Sequence, residues 1–125
     1  MPWHKLGKVF VADGHSQWMH SHAANPVAVH LHADIFHIYF SPRDRQRRSS
    51  IGFVEIDLNR PDRILGISEQ PVLAAGQPGL FDDSGTSLAW ITTIAGRRYL
   101  YYIGWNLGVT VPWRNSIGLA EYDPT

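Results

Sequence analysis

The sequence predicts an all-β fold made of two similar antiparallel units, and three observations support this prediction. Amphipathic helix periodicity is hard to find along the 125 residues. Eleven Gly and eight Pro residues divide the chain into short segments. These segments are rich in Val, Ile, Phe, Tyr, Trp and Thr, the residue types that fit a pleated sheet. An internal repeat then sorts the expected strands into two sets.

The first unit is expected to hold four strands, preceded by a separate strand at residues 5–11 and a loop at 12–22. Ala33-Asp34 separates two apolar runs and predicts a hairpin turn. The strands of this unit are expected at residues 26–32, 35–41, 50–57 and 64–68.

The second unit follows a Pro/Gly-rich connection at residues 71–85. A second hairpin turn is expected at Ala95-Gly96-Arg97, where glycine can adopt a positive φ. Only three strands are expected in this unit, at residues 86–94, 98–104 and 115–122.

The two units are related by an internal repeat. Residues 50–57 read SIGFVEID and residues 116–123 read SIGLAEYD, so five of eight positions are identical at an offset of 66. Upstream, residues 38–41 match residues 101–104 at an offset near 63, which makes the following loop about three residues longer in the second copy. A β-rich unit of this length has the size of a propeller blade. The alternative is chance similarity between β-hairpins.

We therefore expect a single domain over residues 1–125, with one blade at about 23–70 and a second at about 71–125. The second blade lacks its outer strand, and the strand at 5–11 belongs to neither blade. An exposed strand edge invites pairing with another chain. Completion of the edge by the 5–11 strand of a second copy would make a homo-oligomer. A fragment that hides its edge in an irregular way is the alternative.

Composition narrows the possible partners. The chain has 11 basic and 11 acidic residues and no cysteine. Zero net charge argues against a nucleic acid as the main partner, and without cysteine there is no disulfide or thiolate metal site. No signal peptide and no apolar run of membrane-spanning length is present, so a cytoplasmic protein that does not bind membranes is expected. No cofactor motif is found, and no cofactor is expected.

Five segments carry a resemblance to a known enzyme group. They are residues 21–26 (SHAANP), 38–44 (IYFSPRD), 49–52 (SSIG), 79–85 (GLFDDSG) and 101–106 (YYIGWN). Together they resemble the N-terminal part of the five-bladed β-propeller glycoside-hydrolase superfamily. This group includes arabinanases, invertase-like enzymes, mannoside phosphorylases and uncharacterised bacterial members. The similarity covers essentially the whole chain but about two-fifths of a five-bladed member. The resemblance implies a partial five-bladed propeller that binds or processes carbohydrate.

Glycoside hydrolysis needs two carboxyl groups at a defined separation. In the resembling enzymes a pocket carboxylate precedes the second innermost strand, a position occupied here by Asp82 and Asp83. Neighbouring residues on a strand point in opposite directions, so only one of them can face the axis. The alternative is an acid pair that caps a turn. A third blade that supplies a further acid in those enzymes is absent from these residues, which leaves catalysis open. The alternatives are a non-catalytic interaction or assembly module and a truncated propeller of unknown function.

The resemblance also implies residues that bind sugar hydroxyl groups. Asn25 replaces the Asp that many relatives carry before a proline, and it can hydrogen-bond a sugar but cannot act as a base. Trp105 is a candidate platform for a sugar ring or, equally, a packing residue between blades. Arg43-Asp44 is either a sugar-binding pair or an ion pair within a loop. The full set of binding candidates is His22, Asn25, Arg43, Asp44, Trp105, Asn106 and Arg114.

Histidines raise the question of a metal site. If Ala33-Asp34 is a two-residue turn, His30, His32 and His37 are expected on one face of a hairpin, with His37 opposite His30. Three imidazoles could bind zinc or nickel. A surface histidine patch is the interpretation that the sequence favours, because no carboxylate except Asp34, in the turn itself, is fixed nearby by spacing. No metal ligand is assigned.

Overall fold

The computed structural model describes all 125 residues and contains seven β-strands and no helix. The all-β prediction is confirmed. The strands form two antiparallel sheets, ordered β1-β2-β3-β4 and β5-β6-β7. No helix is present that could cross a membrane. The strand bounds are β1 Ser21–His32, β2 Ile35–Arg43, β3 Gly52–Asp57, β4 Arg60–Ile67, β5 Gly85–Ile94, β6 Arg97–Asn106 and β7 Arg114–Glu121.

Both hairpin turns form where the sequence placed them, and each contains at least one residue in the left-handed region. Ala33 has a φ of 47° between β1 and β2. In the second hairpin Ile94 pairs with Arg97, so the turn has two residues instead of the expected three. Its residues, Ala95 and Gly96, have φ values of 51° and 78°. Two consecutive positive φ angles match the twist of the flanking strands.

The strand predicted at residues 5–11 does not form, and residues 1–20 contain no strand. A strand needs a partner edge, and no backbone hydrogen bond joins residues 5–11 to either sheet. The N-terminal segment, residues 1–20, instead packs apolar side chains on the first sheet. Ala12 and Met19 belong to one hydrophobic cluster with residues of β2 and β3, and Val9 and Phe10 pack against it. Trp3 remains exposed.

The middle of the first sheet, strands β2 and β3, is buried on both faces because its side chains alternate between two clusters. On β2, Phe40 points towards the N-terminal segment, and its neighbour Tyr39 points towards the second sheet. The first cluster contains Ala12, Met19, Phe40, Val54 and Ile56. The second cluster lies between the sheets and contains Tyr39, Ile51, Leu88, Ile91 and Tyr102.

The repeated glycine has a packing explanation. Gly52 lies opposite Phe40, and Gly118 lies opposite Tyr102, so the two glycines occupy equivalent positions in their sheets. A Cβ atom at Gly52 would lie 2.5 Å from the Trp18 ring, and one at Gly118 would lie 2.3 Å from the Tyr102 ring. In each unit an aromatic ring crosses the strand where no side chain is present. The segment between the paired residues is four residues longer in the second unit.

The two sheets meet at a junction formed by Ser49 and the start of β5. Ser49 and Gly85 form a parallel bridge, and the Thr86 amide donates to the Ser49 carbonyl at 2.9 Å. The Leu88 amide donates to Ser41 Oγ at 2.8 Å. The ends of β2 and β6 are therefore brought together at one edge of the molecule, where a cleft opens.

Candidate functional site

The cleft has a volume of about 600 Å³ and lies between the loops that follow β2 and β6. The position of the cleft follows from the repeat. Arg43 at the end of β2 pairs with Ser21 at the start of β1, and Trp105 near the end of β6 pairs with Gly85 at the start of β5. Arg43 and Trp105 therefore occupy equivalent places in the two hairpins. The lining residues are Arg43, Gln46, Arg47, Arg48, Ser49, Asp83, Ser84, Ser87, Trp105, Asn106, Leu107 and Trp113. Four of the predicted site residues, Arg43, Asp83, Trp105 and Asn106, are thus brought together.

Asp83 supplies the only carboxylate that lines the cleft. It accepts hydrogen bonds from Asn106 Nδ2 at 2.9 Å, the Gly79 amide at 3.0 Å and Ser84 Oγ at 3.2 Å. The Asn106 bond, then the Gly79 amide, holds the pKa of Asp83 below its usual value because both stabilise the charged form. Asp83 is therefore ionised at neutral pH and suited to accept hydrogen bonds.

Asp82 is placed differently, although it is the adjacent residue. Both acids lie in a turn before β5, where Asp82 points into the protein and is 7% exposed. Its carboxylate accepts a hydrogen bond of 3.2 Å from the Tyr102 hydroxyl. Burial and the nearby Asp82 charge raise the pKa of Tyr102. Asp82 does not line the cleft, so the sequence pair separates into one buried and one accessible acid.

Two tryptophans form an aromatic wall in the cleft. Trp105 is half-buried, and its Nε1 donates to Ser87 Oγ at 2.8 Å across the β5–β6 pair. Trp113 is 63% exposed and meets Trp105 edge-on, with ring centroids 6.3 Å apart. The sequence reasoning found Trp105 and missed Trp113. The sequence signal that could have identified Trp113 is its position at the end of the loop that follows β6, the loop that begins just after Trp105 and Asn106.

The opposite side of the cleft is basic. Arg43, Arg47 and Arg48 line it. Asp44 does not line the cleft. It pairs with Arg48 Nε at 3.1 Å and accepts from the Gln46 and Arg48 amides at 2.9 Å each. Asp44 is thus an organiser of the loop, as in the alternative interpretation of an ion pair within a loop.

Three other predicted binding residues lie outside the cleft lining. His22 and Asn25 are exposed on β1 and have positive φ angles of 63° and 53°, where the β1–β2 register shifts. Arg114 donates to the Leu107 carbonyl at 3.2 Å, and its charge contributes to the low pKa of Asp83. Arg114 therefore acts on the charge state of Asp83 without lining the cleft.

The expected pairing of His30 with His37 is wrong. A register shift between His30 and His32 places Phe36 opposite His30 and Val29 opposite His37. The bulge adds one residue to β1 and changes every later partner. His37 instead contacts Glu55 at 2.8 Å. No three His, Cys, Asp or Glu side chains come together in a group that could hold a metal ion.

Comparisons with known proteins identify relatives but assign no activity. Two proteins of Mycobacterium tuberculosis, from strains CDC 1551 and H37Rv, are each 52% identical to this chain over 120 residues. Both carry only the description "uncharacterized protein". The match covers 96% of this chain and 40% of either relative, so the chain spans about two fifths of their length. No family model matches the chain, and no solved structure gives a significant match.

Proposed function

We propose that these residues form two blades of a β-propeller and that the cleft between them binds carbohydrate. The two sheets have equivalent registers, with a repeat of just over sixty residues. A match of 120 residues that covers 40% of a relative corresponds to a relative of about 300 residues. Five such units would fill that length, in agreement with the five-bladed architecture that the sequence resemblance implies.

The combination of aromatic and hydrogen-bonding groups in one cleft carries the binding proposal. Trp113 offers an exposed ring, which suits the C–H face of a sugar. Asp83 and Asn106 line the same cleft and are joined by a hydrogen bond of 2.9 Å. Sugar hydroxyl groups both donate and accept hydrogen bonds, so an ionised carboxylate next to an amide can pair with neighbouring hydroxyls. Carbohydrate binding through these side chains does not require a cofactor.

Hydrolysis would need a second acid in addition to Asp83. Both mechanisms of glycoside hydrolysis use a pair of carboxyl groups, about 5–5.5 Å apart for retention and about 6.5–9.5 Å apart for inversion. The cleft contains one, because Asp82 is buried against Tyr102 and Asp44 is bound to Arg48. We therefore assign binding to these residues. Turnover would require an acid from a further blade or from a partner.

Replacing Trp113 with alanine is expected to weaken glycan binding about tenfold or more. Loss of an aromatic anchor at a binding site commonly removes more than about 1 kcal/mol. The measurement is a titration of the chain with a broad panel of oligosaccharides, followed by tryptophan fluorescence and by NMR shifts of cleft residues.

Trp90→Ala is the matched control, since Trp90 is 60% exposed on β5 and does not line the cleft. We expect this variant to bind as the unmodified chain does. Absence of binding to every glycan in the panel would contradict the carbohydrate proposal. Equal losses in the two variants would place binding outside the cleft.

Self-association is a second candidate role, favoured by the open edge of β7. In the first sheet β3 pairs with both β2 and β4, whereas β7 pairs with β6 alone. Ile117 on β7 is 88% exposed. We expect a discrete oligomer in light scattering after gel filtration, with a second copy covering the edge of β7. Ile117→Lys or Ile117→Pro should then shift the mass to the monomer. A monomer in the unmodified chain would contradict this role.

A further inference from the structure

We propose that the ligand of the cleft is an acidic glycan, whose oxyanion is bound by Arg43 and Arg47 while a sugar ring packs on Trp113. This inference rests on the proposed function and adds the chemical class of the ligand. The oxyanion is a carboxylate, sulfate ester or phosphate ester carried by the sugar, because guanidinium groups bind all three with charge-assisted hydrogen bonds.

The charges in the cleft are unbalanced. Three arginines line it, against the single carboxylate of Asp83. Arg48 is paired with Asp44, and its guanidinium also donates to Gln46 Oε1 at 2.7 Å. Arg43 and Arg47 form no ion pair and donate no side-chain hydrogen bond. Arg43 and Arg47 thus line the cleft with guanidinium donors that have no partner in the protein, in a chain whose formal net charge is zero.

The loop that carries these cations is held in place without a ligand. The Asp44 amide donates to the Arg48 carbonyl at 2.9 Å, and the Arg47 amide donates to the Asp44 carbonyl at 3.1 Å. Asp44 also binds the Gln46 amide, and Arg47 occupies the left-handed region with a φ of 65°. Binding to a preorganised loop loses less conformational entropy than binding that must order the loop.

A glycan fits this cleft better than a nucleic acid does. Asp83 is ionised and faces the same space as the arginines, so it repels a continuous phosphate backbone but accepts a hydrogen bond from a hydroxyl. Single-stranded nucleic acids bind in extended basic grooves with several stacking platforms. Here the basic side is one short loop, and the aromatic side consists of Trp105 and Trp113.

The test compares each acidic probe with its neutral counterpart on the full chain. The pairs are trigalacturonate against its methyl ester, glucose 6-sulfate against glucose, and glucose 6-phosphate against glucose, with inorganic phosphate alone and oligo(dT) as further probes. We expect at least one acidic sugar to bind about tenfold or more tightly than its counterpart, because hydrogen bonds to charged groups are the strong ones. The pair with the largest ratio identifies the oxyanion.

Arginine variants then test which side chains cause the preference for acidic sugars. Arg43→Gln and Arg47→Gln should each weaken binding of the acidic probe about tenfold and change binding of the neutral probe less than twofold. Arg45→Gln is the control, because Arg45 is exposed in the same loop but does not line the cleft. All three positions are exposed, so the variants should fold.

Three outcomes would overturn the inference. Equal affinity for acidic and neutral sugars would refute the charge selectivity while leaving the carbohydrate proposal intact. Binding of inorganic phosphate or oligo(dT) with no binding of any sugar would refute both proposals. An equal loss in Arg45→Gln and Arg43→Gln would show that general charge, and not these two side chains, attracts the ligand.

Discussion

Replacing Gly85 with alanine is expected to lower the free energy of unfolding by about 2–5 kcal/mol. Gly85 has a φ of 144°, which side chains rarely permit. An added Cβ would lie 2.8 Å from the Ser49 backbone nitrogen and 3.0 Å from its carbonyl oxygen. The junction between the sheets would have to separate, because backbone atoms cannot rotate away as a flexible side chain can. Urea denaturation followed by circular dichroism measures this loss.

Gly96→Ala is the control for the Gly85 variant, since it separates backbone strain from steric contact. Gly96 also has a positive φ, of 78°, but a Cβ there would meet nothing within 4 Å. Its replacement should cost only about 1–2 kcal/mol. Equal losses in the two variants would mean that the close approach of Gly85 to Ser49 contributes nothing to stability. Loss of glycan binding in Gly85→Ala, at urea concentrations where its sheets persist, would further link the junction to the cleft.

Replacing Tyr102 with phenylalanine is expected to destabilise the fold by about 1–3 kcal/mol. The Tyr102 hydroxyl is the only side-chain donor to the buried Asp82 carboxylate, at 3.2 Å. Its removal leaves a buried acceptor without its partner, which is more costly than the net value of one hydrogen bond. The same denaturation measurement applies. Tyr101→Phe is the control, because Tyr101 is exposed and its hydroxyl makes no hydrogen bond.

The Tyr102 variant also tests the direction of a pH effect. Burial, and then the Asp82 charge, raise the pKa of Tyr102 above its ordinary value of 10.0. Its contribution to stability is therefore fully present below about pH 10 and is lost as the pH rises through the folded-state pKa. Unmodified chain and Tyr102→Phe should converge in stability above pH 10. A constant difference across that range would contradict the assignment, as would a variant with unmodified stability at pH 7.

Strand positions could be predicted because they depend on local patterns. Alternating apolar residues and the turn at Ala95-Gly96 specify a hairpin without reference to the rest of the chain. The repeated glycine also identified equivalent positions in both sheets. The sequence did not show why a glycine is needed there. Only packing shows that the rings of Trp18 and Tyr102 cross Gly52 and Gly118.

Features that depend on a distant partner could not be predicted in the same way. Residues 5–11 have the composition of a strand, but a strand also needs a free sheet edge, and this segment packs its side chains on the first sheet instead. One bulged residue in β1 was enough to separate His30 from His37. A bulge has only a weak local signal, and its effect passes to every later pair.

The candidate site shows the same division. By itself the sequence determined an all-β chain, two equivalent units and the acid and aromatic residues at the ends of equivalent strands. Only the tertiary structure decided that Asp82 is buried against Tyr102 while Asp83 faces a cleft, and that Arg47 and Trp113 line that cleft. The reason is physical: side-chain periodicity and turn chemistry act over a few residues. The contents of a cleft depend on which loops the contact between Ser49 and Gly85 brings together.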